Sequence, residues 1–375
     1  MRFTCDTAQL GRSAAFAARH TAGNGASIPS LSGLRMSARE DVVRLTGYDY
    51  EASSVVSFPA EVGEAGELLL PGRVFAEIVR ALPAGSVEIS AAGGTVEIAA
   101  GTIEFTLPTL PMADYPELPA PPAPTGVVDG GSFAKVAAQM ARIALREHVI
   151  PVLSGTLCEF AADSLTMTAS DRFRVAIREL PWKPTDADLP ARAVAPARLL
   201  AEAAKGLGSD DVLTAGVGGA GDPLLSLGTD DRLTTLRLLD DTYPALRSKV
   251  PTSFVGAVTL DAELLAAALR RVCIVADRYA AVELSIGSDE VVVGAAGDVD
   301  TRGRERLPAD LDGSGTTVGF NAGYLLDGLD VLDAPYARLS FNEGVRPALL
   351  TGRDSPDADD RADVRYVAMP RRLAS

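Results

Sequence analysis

The sequence predicts an α+β protein of three repeated domains, each an internally duplicated unit of helix and antiparallel sheet. Three observations predict it. The chain has 375 residues, too many for one ordinary core and suited to two or three domains. Short segments return in the same order at an interval of roughly 125 residues. Six segments of helical period alternate with runs of strand period.

The returning segments are specific. Ile28-Pro29-Ser30-Leu31-Ser32-Gly33 comes back as Ile150-Pro151-Val152-Leu153-Ser154-Gly155. Asp49, after Leu45-Thr46-Gly47-Tyr48, comes back as Asp171, after Met167-Thr168-Ala169-Ser170. A third version closes on Asp298 after Val293-Gly294-Ala295-Ala296-Gly297. Ala113-Asp114-Tyr115-Pro116-Glu117-Leu118 comes back as Asp241-Thr242-Tyr243-Pro244-Ala245-Leu246. Helices are expected at 7–20, 72–82, 132–146, 197–207, 261–274 and 321–332. Asp6, Ser132, Asp261 and Asn321 suit N-cap positions, where a short side chain accepts from a free backbone N–H, and Pro71 and Pro196 suit helix entry. Phe75, Ile78, Val79 and Leu82 give the second helix one apolar stripe. Thr95-Val96-Glu97-Ile98 and Thr102-Ile103-Glu104-Phe105 alternate as strands, and Gly93-Gly94 reads as a hairpin turn. The stiff Pro119–Pro124 stretch and the segment Pro251-Thr252-Ser253 place domain limits at 1–124, 125–252 and 253–375.

Composition narrows the function. The chain is 47% hydrophobic and 23% charged, as a globular protein is. No apolar run reaches the length of a bilayer span, and the first residues lack a signal-peptide core, so no membrane partner is expected and the cytoplasm is the expected compartment. Cys5, Cys158 and Cys273 are too far apart for a disulfide framework or a zinc site. Fifty acids against 35 bases give a net charge of −15, which argues against indiscriminate binding to nucleic acid but leaves room for a local basic surface.

Such a surface is written into four helices. Arg12 and Arg19, Arg73 and Arg80, Lys135 and Arg142, and Arg198 and Lys205 are each seven residues apart, almost two helical turns, so each pair shares one face. The pattern suits a polyanion held by phosphate contacts that ignore base sequence. Ordinary solvated helix faces are the alternative, since Glu77 and Glu202 follow Arg73 and Arg198 at ion-pair spacing. Arg270, Arg271 and Arg146 extend the basic set, whereas the sixth helix carries Asp327 and Asp330 and no base.

The threefold repeat, Ser170-Asp171-Arg172-Phe173-Arg174-Val175 and the closing Tyr366-Val367-Ala368-Met369-Pro370-Arg371-Arg372-Leu373 resemble the bacterial DNA polymerase III β subunit family, in its actinobacterial form. The resemblance covers essentially the whole chain. It implies a head-to-tail homodimeric ring with helices lining the hole, sheets outside, and double-stranded DNA threaded through. It implies tethering rather than catalysis, with no cofactor and no metal. The implied partners are the replicative polymerase, the clamp loader, repair proteins carrying clamp-binding peptides, and a second copy of the chain. The basic pairs then face the hole, although Gly25 stands where such clamps often have an arginine.

The resemblance also implies a peptide pocket between the second and third domains. Its wall would be Leu153, Ser170, Arg172, Phe173, Arg174, Val175, Pro244, Arg247 and Pro347, with Val367, Ala368, Met369, Pro370, Arg371, Arg372 and Leu373. Leu and Phe anchors of a peptide suit apolar walls, with Arg172 and Arg174 free for its polar groups. Docking of the chain's own C-terminus is the plainer reading of Met369, Pro370 and Leu373. Arg371 and Lys249 put cations where the family is usually apolar, which costs desolvation and predicts weak binding of peptides or of a peptide-like inhibitor. A specialised, inhibitor-insensitive second copy is therefore a rival to the main replicative clamp, as is an enzyme of repeated α+β fold.

Catalytic patterns do not assemble. Gly216-Val217-Gly218-Gly219-Ala220-Gly221 has the spacing of a dinucleotide loop, but the strand-like Leu224-Leu225-Ser226-Leu227 follows where a helix is required. His20 and His148 have no ligand cluster around them, and no nucleophile elbow is present. The acidic run from Asp354 to Asp363 reads as a solvated loop.

Overall fold

The computed structural model describes all residues except 24–27, 147–148, 186–190, 220, 222, 277–280, 298–300 and 374–375. Gly25, His148, Ala220 and Asp298 therefore lie outside the described residues. Six α-helices are present among those described: α1 Thr7–Ala17, α2 Gly72–Ala81, α3 Gly130–Ile143, α4 Ala197–Ala204, α5 Ala262–Val272 and α6 Ala322–Leu332. None is long and apolar enough to cross a membrane.

Each helix follows a strand directly, and the junctions alternate in chemistry. Strand Arg2–Asp6 enters α1, and Asp6 accepts from the Gln9 amide; strand Gly256–Asp261 enters α5, and Asp261 accepts from the Leu264 amide. Strands Gly66–Pro71 and Ala191–Pro196 enter α2 and α4 on a proline. Asn321 caps α6 by accepting from Gly323 and Tyr324. Ser132 is not a cap: α3 begins at Gly130, straight after strand Gly126–Asp129, which leaves Ser132 inside the first turn. The correction restores the repeat, because Asp129 then stands where Asp6 and Asp261 stand.

The chain forms two compact units. The first comprises Met1–Gly130, Pro184–Asp186 and Glu202–Leu238. It holds a five-stranded antiparallel sheet ordered Glu61–Glu64, Arg2–Asp6, Ser86–Ala92, Thr95–Ala100, Ile103–Pro108. Gly93 and Gly94, at φ 60° and 85°, make the turn between the third and fourth of these strands, a conformation that only glycine adopts without cost. A second sheet runs Gly126–Asp129, Val212–Val217, Leu224–Gly228, Arg232–Arg237, Ala52–Pro59, Val42–Tyr48, Gly33–Arg39, Gly66–Pro71. Strands from the first and second thirds of the sequence meet in it, with Arg232 opposite Val56 and Leu236 opposite Ala52. Helices α1 and α2 pack on each other over Leu10, Phe16, Phe75, Val79, Leu34 and Leu45.

The second unit comprises Gly131–Lys183, Ala187–Ala201 and Leu239–Ser375. Its large sheet runs Ala191–Pro196, Gly155–Phe160, Ser164–Ser170, Arg174–Pro181, Val364–Ala368, Ala348–Arg353, Tyr336–Phe341, Gly256–Asp261, Asp310–Gly313. Here the second and third sequence repeats meet, with Arg174 opposite Ala368 and Arg178 opposite Val364. A four-stranded sheet, Arg302–Pro308, Glu290–Ala296, Val282–Ile286, Thr317–Phe320, completes it. The acidic run is a loop between strands, tied by Arg353 to Asp360 and by Arg361 to Asp354.

Candidate peptide pocket and basic helix faces

The sequence repeat has a physical basis at two points. Pro29–Ser32 and Pro151–Ser154 each wind one 3-10 turn, closed by the serine hydroxyl donating to the proline carbonyl, Ser32 to Pro29 at 2.7 Å and Ser154 to Pro151 at 2.6 Å. The turn in the second unit sets Leu153 against Val152, Leu157, Val194 and Tyr243, a small core that floors a cavity. Asp49 and Asp171 each directly follow a strand and accept from backbone amides two and three residues on. The residue after each aspartate is left-handed, Tyr50 at φ 72° and Arg172 at φ 82°. That turn lifts Arg172 and Phe173 off the sheet, so Phe173 is 49% exposed with the Arg172 guanidinium 5.4 Å from its ring centre.

The cavity holds about 330 Å³ and is lined by Leu153, Ser170, Arg172, Phe173, Arg174, Val175, Pro244, Leu246, Lys249, Val250, Pro347, Val367 and Met369. The C-terminal segment is fixed on it by pairing of Val175 with Val367 and by the Met369 amide donating to the Phe173 carbonyl at 2.8 Å. Ten of the expected wall residues therefore converge. Leu246, Lys249 and Val250 belong with them, carried by the 3-10 turn Leu246–Lys249 that follows the repeated Tyr-Pro. Arg247 points to Glu159 at 3.9 Å, and Ala368 is buried in its strand. Arg371 bridges to Gly319 through its backbone at 2.8 Å, and Leu373 lies against the same glycine. These, with Pro370 and Arg372, flank the cavity in sequence without lining it.

Arg174 is not free for a peptide. It is 8% exposed, donates to Asp171 at 2.9 Å, to Asp327 at 2.6 Å and to the Arg142 carbonyl at 2.9 Å, and lies 4.3 Å from the Tyr324 ring centre. Arg172 and Lys249 are both exposed, and neither of these wall cations meets a carboxylate among the described residues.

Some cations of the basic helix faces are committed to partners within the chain, whether buried or exposed. Arg19 donates to the carbonyls of Glu202 and Lys205 at 3.1 and 2.8 Å and lies over Phe16. Burial, then the Arg232 charge, draws its pKa down, so it behaves as a structural tie to the end of α4. Lys135 pairs with Asp333, Arg142 with Asp330, and Arg271 forks onto Glu305. Arg12 donates to the neutral Gln9 amide at 2.8 Å. Arg12, Arg73, Arg80, Arg146, Arg198, Lys205 and Arg270 are exposed. The Cys5 and Cys158 thiols are pushed up to about 12 by burial and are inert as nucleophiles.

The described residues thus form repeated helix-and-sheet units with exposed cations on several helix faces and a small apolar cavity. Family models for the N-terminal, central and C-terminal domains of the DNA polymerase III β subunit match residues 1–119, 127–245 and 247–372. The β sliding clamp of Streptomyces coelicolor is 40% identical, over 92% of this chain and 93% of its own length. The β sliding clamp homolog GriR of Streptomyces muensis is 36% identical over 100% of both chains. A Pseudomonas aeruginosa sliding clamp solved bound to griselimycin superposes with TM-score 0.91 at 23% identity, and the Bacillus subtilis clamp with 0.90 at 23%, each over 100% of both chains. This chain belongs to the DNA polymerase III β subunit family: it is a bacterial sliding clamp, a processivity factor and not an enzyme.

Proposed function

We propose that this clamp acts as a ring of two chains and recruits its partners by their linear peptides through the cavity around Phe173. The supporting observation is the cavity itself: an apolar site of about 330 Å³ with an exposed phenyl at its rim, of a size for one or two side-chain anchors. The partners in this reading are the replicative polymerase, the clamp loader and repair proteins, in the cytoplasm of a bacterium. The sheet edges Ile103–Pro108 and Arg302–Pro308 end their sheets, and pairing one with the other of a second copy would cover both. The domain limits 1–124, 125–252 and 253–375 belong to the same reading. Duplex DNA would meet the exposed cations Arg12, Arg73, Arg80, Arg146, Lys205 and Arg270, with Arg198 beside them. Titration of a polymerase-derived peptide tests the pocket. Phe173→Ala and Val250→Asp should each weaken binding by about tenfold, as loss of one central anchor does. Affinity unchanged in both variants overturns the assignment.

A second reading is favoured by Lys249. A cation in the cavity wall disfavours apolar ligands, and one relative that matches over 100% of both chains is a clamp homolog with a name of its own, GriR. In this reading the chain is a second clamp copy that a pocket-directed inhibitor binds weakly. Replacing the resident clamp in cells separates the two: growth that persists in griselimycin supports the second copy, and growth equally inhibited removes it.

A further inference from the structure

The acids of α6 and its C-cap hold two cations of α3 and one of the strand Arg174–Pro181. Asp327, Asp330 and Asp333 are spaced by three residues, so they form one ridge along α6 and its C-cap. Arg174 meets Asp327, Arg142 meets Asp330 and Lys135 meets Asp333. Gln139 joins the row by donating to the Asp330 carbonyl at 2.6 Å. Ascending positions on α3 meet descending positions on α6, so the two helices run antiparallel at this seam.

Two of these pairs differ from the third. Arg174 is buried and its pair is a fixed strut. Lys135, Arg142, Asp330 and Asp333 are each about half exposed, where an ion pair adds little to stability. Such a pair still occupies its cation. A carboxylate offers a guanidinium or ammonium the same oxygen acceptors that a phosphate offers. We infer that Asp330 and Asp333 are built-in competitors for DNA phosphate, which withhold Lys135 and Arg142 from the duplex. The basic pair on α3, equal to its counterparts on α1 and α2 in sequence, is thereby unequal in use. Phosphate contact in this clamp falls on other faces, those bearing Arg12, Arg73, Arg80 and Arg270. The inference rests on the reading that these helix faces meet DNA.

The test is the salt dependence of association with a short duplex, followed by fluorescence anisotropy. Asp330→Asn and Asp333→Asn keep the shape, and asparagine tolerates the left-handed cap at Asp333 (φ 49°). The double variant should steepen the slope of log K against log salt by about one to two, near 0.9 for each phosphate newly met. Asp330→Asn alone should give about half of that change. Lys135→Gln with Arg142→Gln should leave the native slope unchanged, and the same pair added to the double aspartate variant should abolish the gain. A gain that persists without Lys135 and Arg142 would mean a general field effect and overturns the inference. So does a native slope that flattens when those two cations are removed. Arg12→Gln, Arg73→Gln and Arg80→Gln together serve as the reference for the underlying reading. If they leave the slope unchanged, the DNA-facing assignment fails and the inference with it; if they flatten it while the aspartate variants change nothing, the inference alone fails.

Discussion

Replacing Arg174 with alanine separates a strut from a ligand contact. Its guanidinium serves two carboxylates, one carbonyl and one ring, at 2.9, 2.6, 2.9 and 4.3 Å. Arg174 and Asp171 are 8% and 12% exposed, so the truncation strands a nearly buried carboxylate. Breaking a buried ion pair costs about 3–5 kcal/mol. Asp171 keeps two backbone N–H donors and Asp327 retains some water, which places Arg174→Ala at about 3 kcal/mol. A folding unit of 150–250 residues loses about 2–4 °C per kcal/mol, so the melting temperature should fall by about 6–12 °C. Arg174→Lys should lie between, because one ammonium cannot fork onto both acids. Arg174→Ala with Asp327→Ala should recover part of the loss, since the second change removes a stranded charge. Differential scanning calorimetry of the four proteins reads this. A melting temperature unchanged in Arg174→Ala, with peptide affinity reduced tenfold or more, would refute the reasoning and return Arg174 to the ligand.

Other predictions follow from the same contacts. Lys249→Leu should tighten peptide binding by about fivefold, the effect of roughly one buried methylene or so in place of a charge, whereas Arg371→Val should leave calorimetric affinity unchanged because Arg371 does not line the cavity. Arg19→Ala should lower the melting temperature by about 2–6 °C through loss of its two carbonyl bonds to the end of α4. His20 is buried with Nδ1 2.6 Å from the Ser54 hydroxyl, and burial, partly offset by Asp49, holds its pKa below the ordinary imidazole value. The folded state therefore favours the neutral ring: its stabilisation is full above pH about 6.5 and is lost as pH falls through the lower folded value. Thermal scans at pH 7.5 and 5.5 should show a smaller pH difference in His20→Gln than in the native clamp.

The repeat was legible because it is written in residues that local backbone geometry demands. Proline, serine and glycine fix the turns at 29–33 and 151–155, and aspartate fixes the turns at 49–52 and 171–174, wherever the rest of the chain goes. Capping made five of the six helix starts readable. It misplaced the sixth because Ser132 resembles a cap, whereas the strand ending at Asp129 decides the start. The pocket was legible where motif and strand pairing coincide, at 170–175 and 367–369. Leu246 and Val250 were missed because a single 3-10 turn has no periodicity to read, although the repeated Tyr-Pro marks its place. The commitment of Lys135, Arg142 and Arg174 was hidden for a different reason. Their acids are about 150 to 200 residues away in sequence, and helical spacing reports a face without reporting what stands opposite.

The central claim is that the clamp holds DNA by enclosing it. Labelled clamp loaded by a clamp loader onto nicked circular DNA, and freed of unbound protein by gel filtration, tests this most directly. The account predicts that clamp stays with the circles and is lost when one restriction cut linearises them. Loss from intact circles, or equal retention on circles and linear DNA, would contradict it.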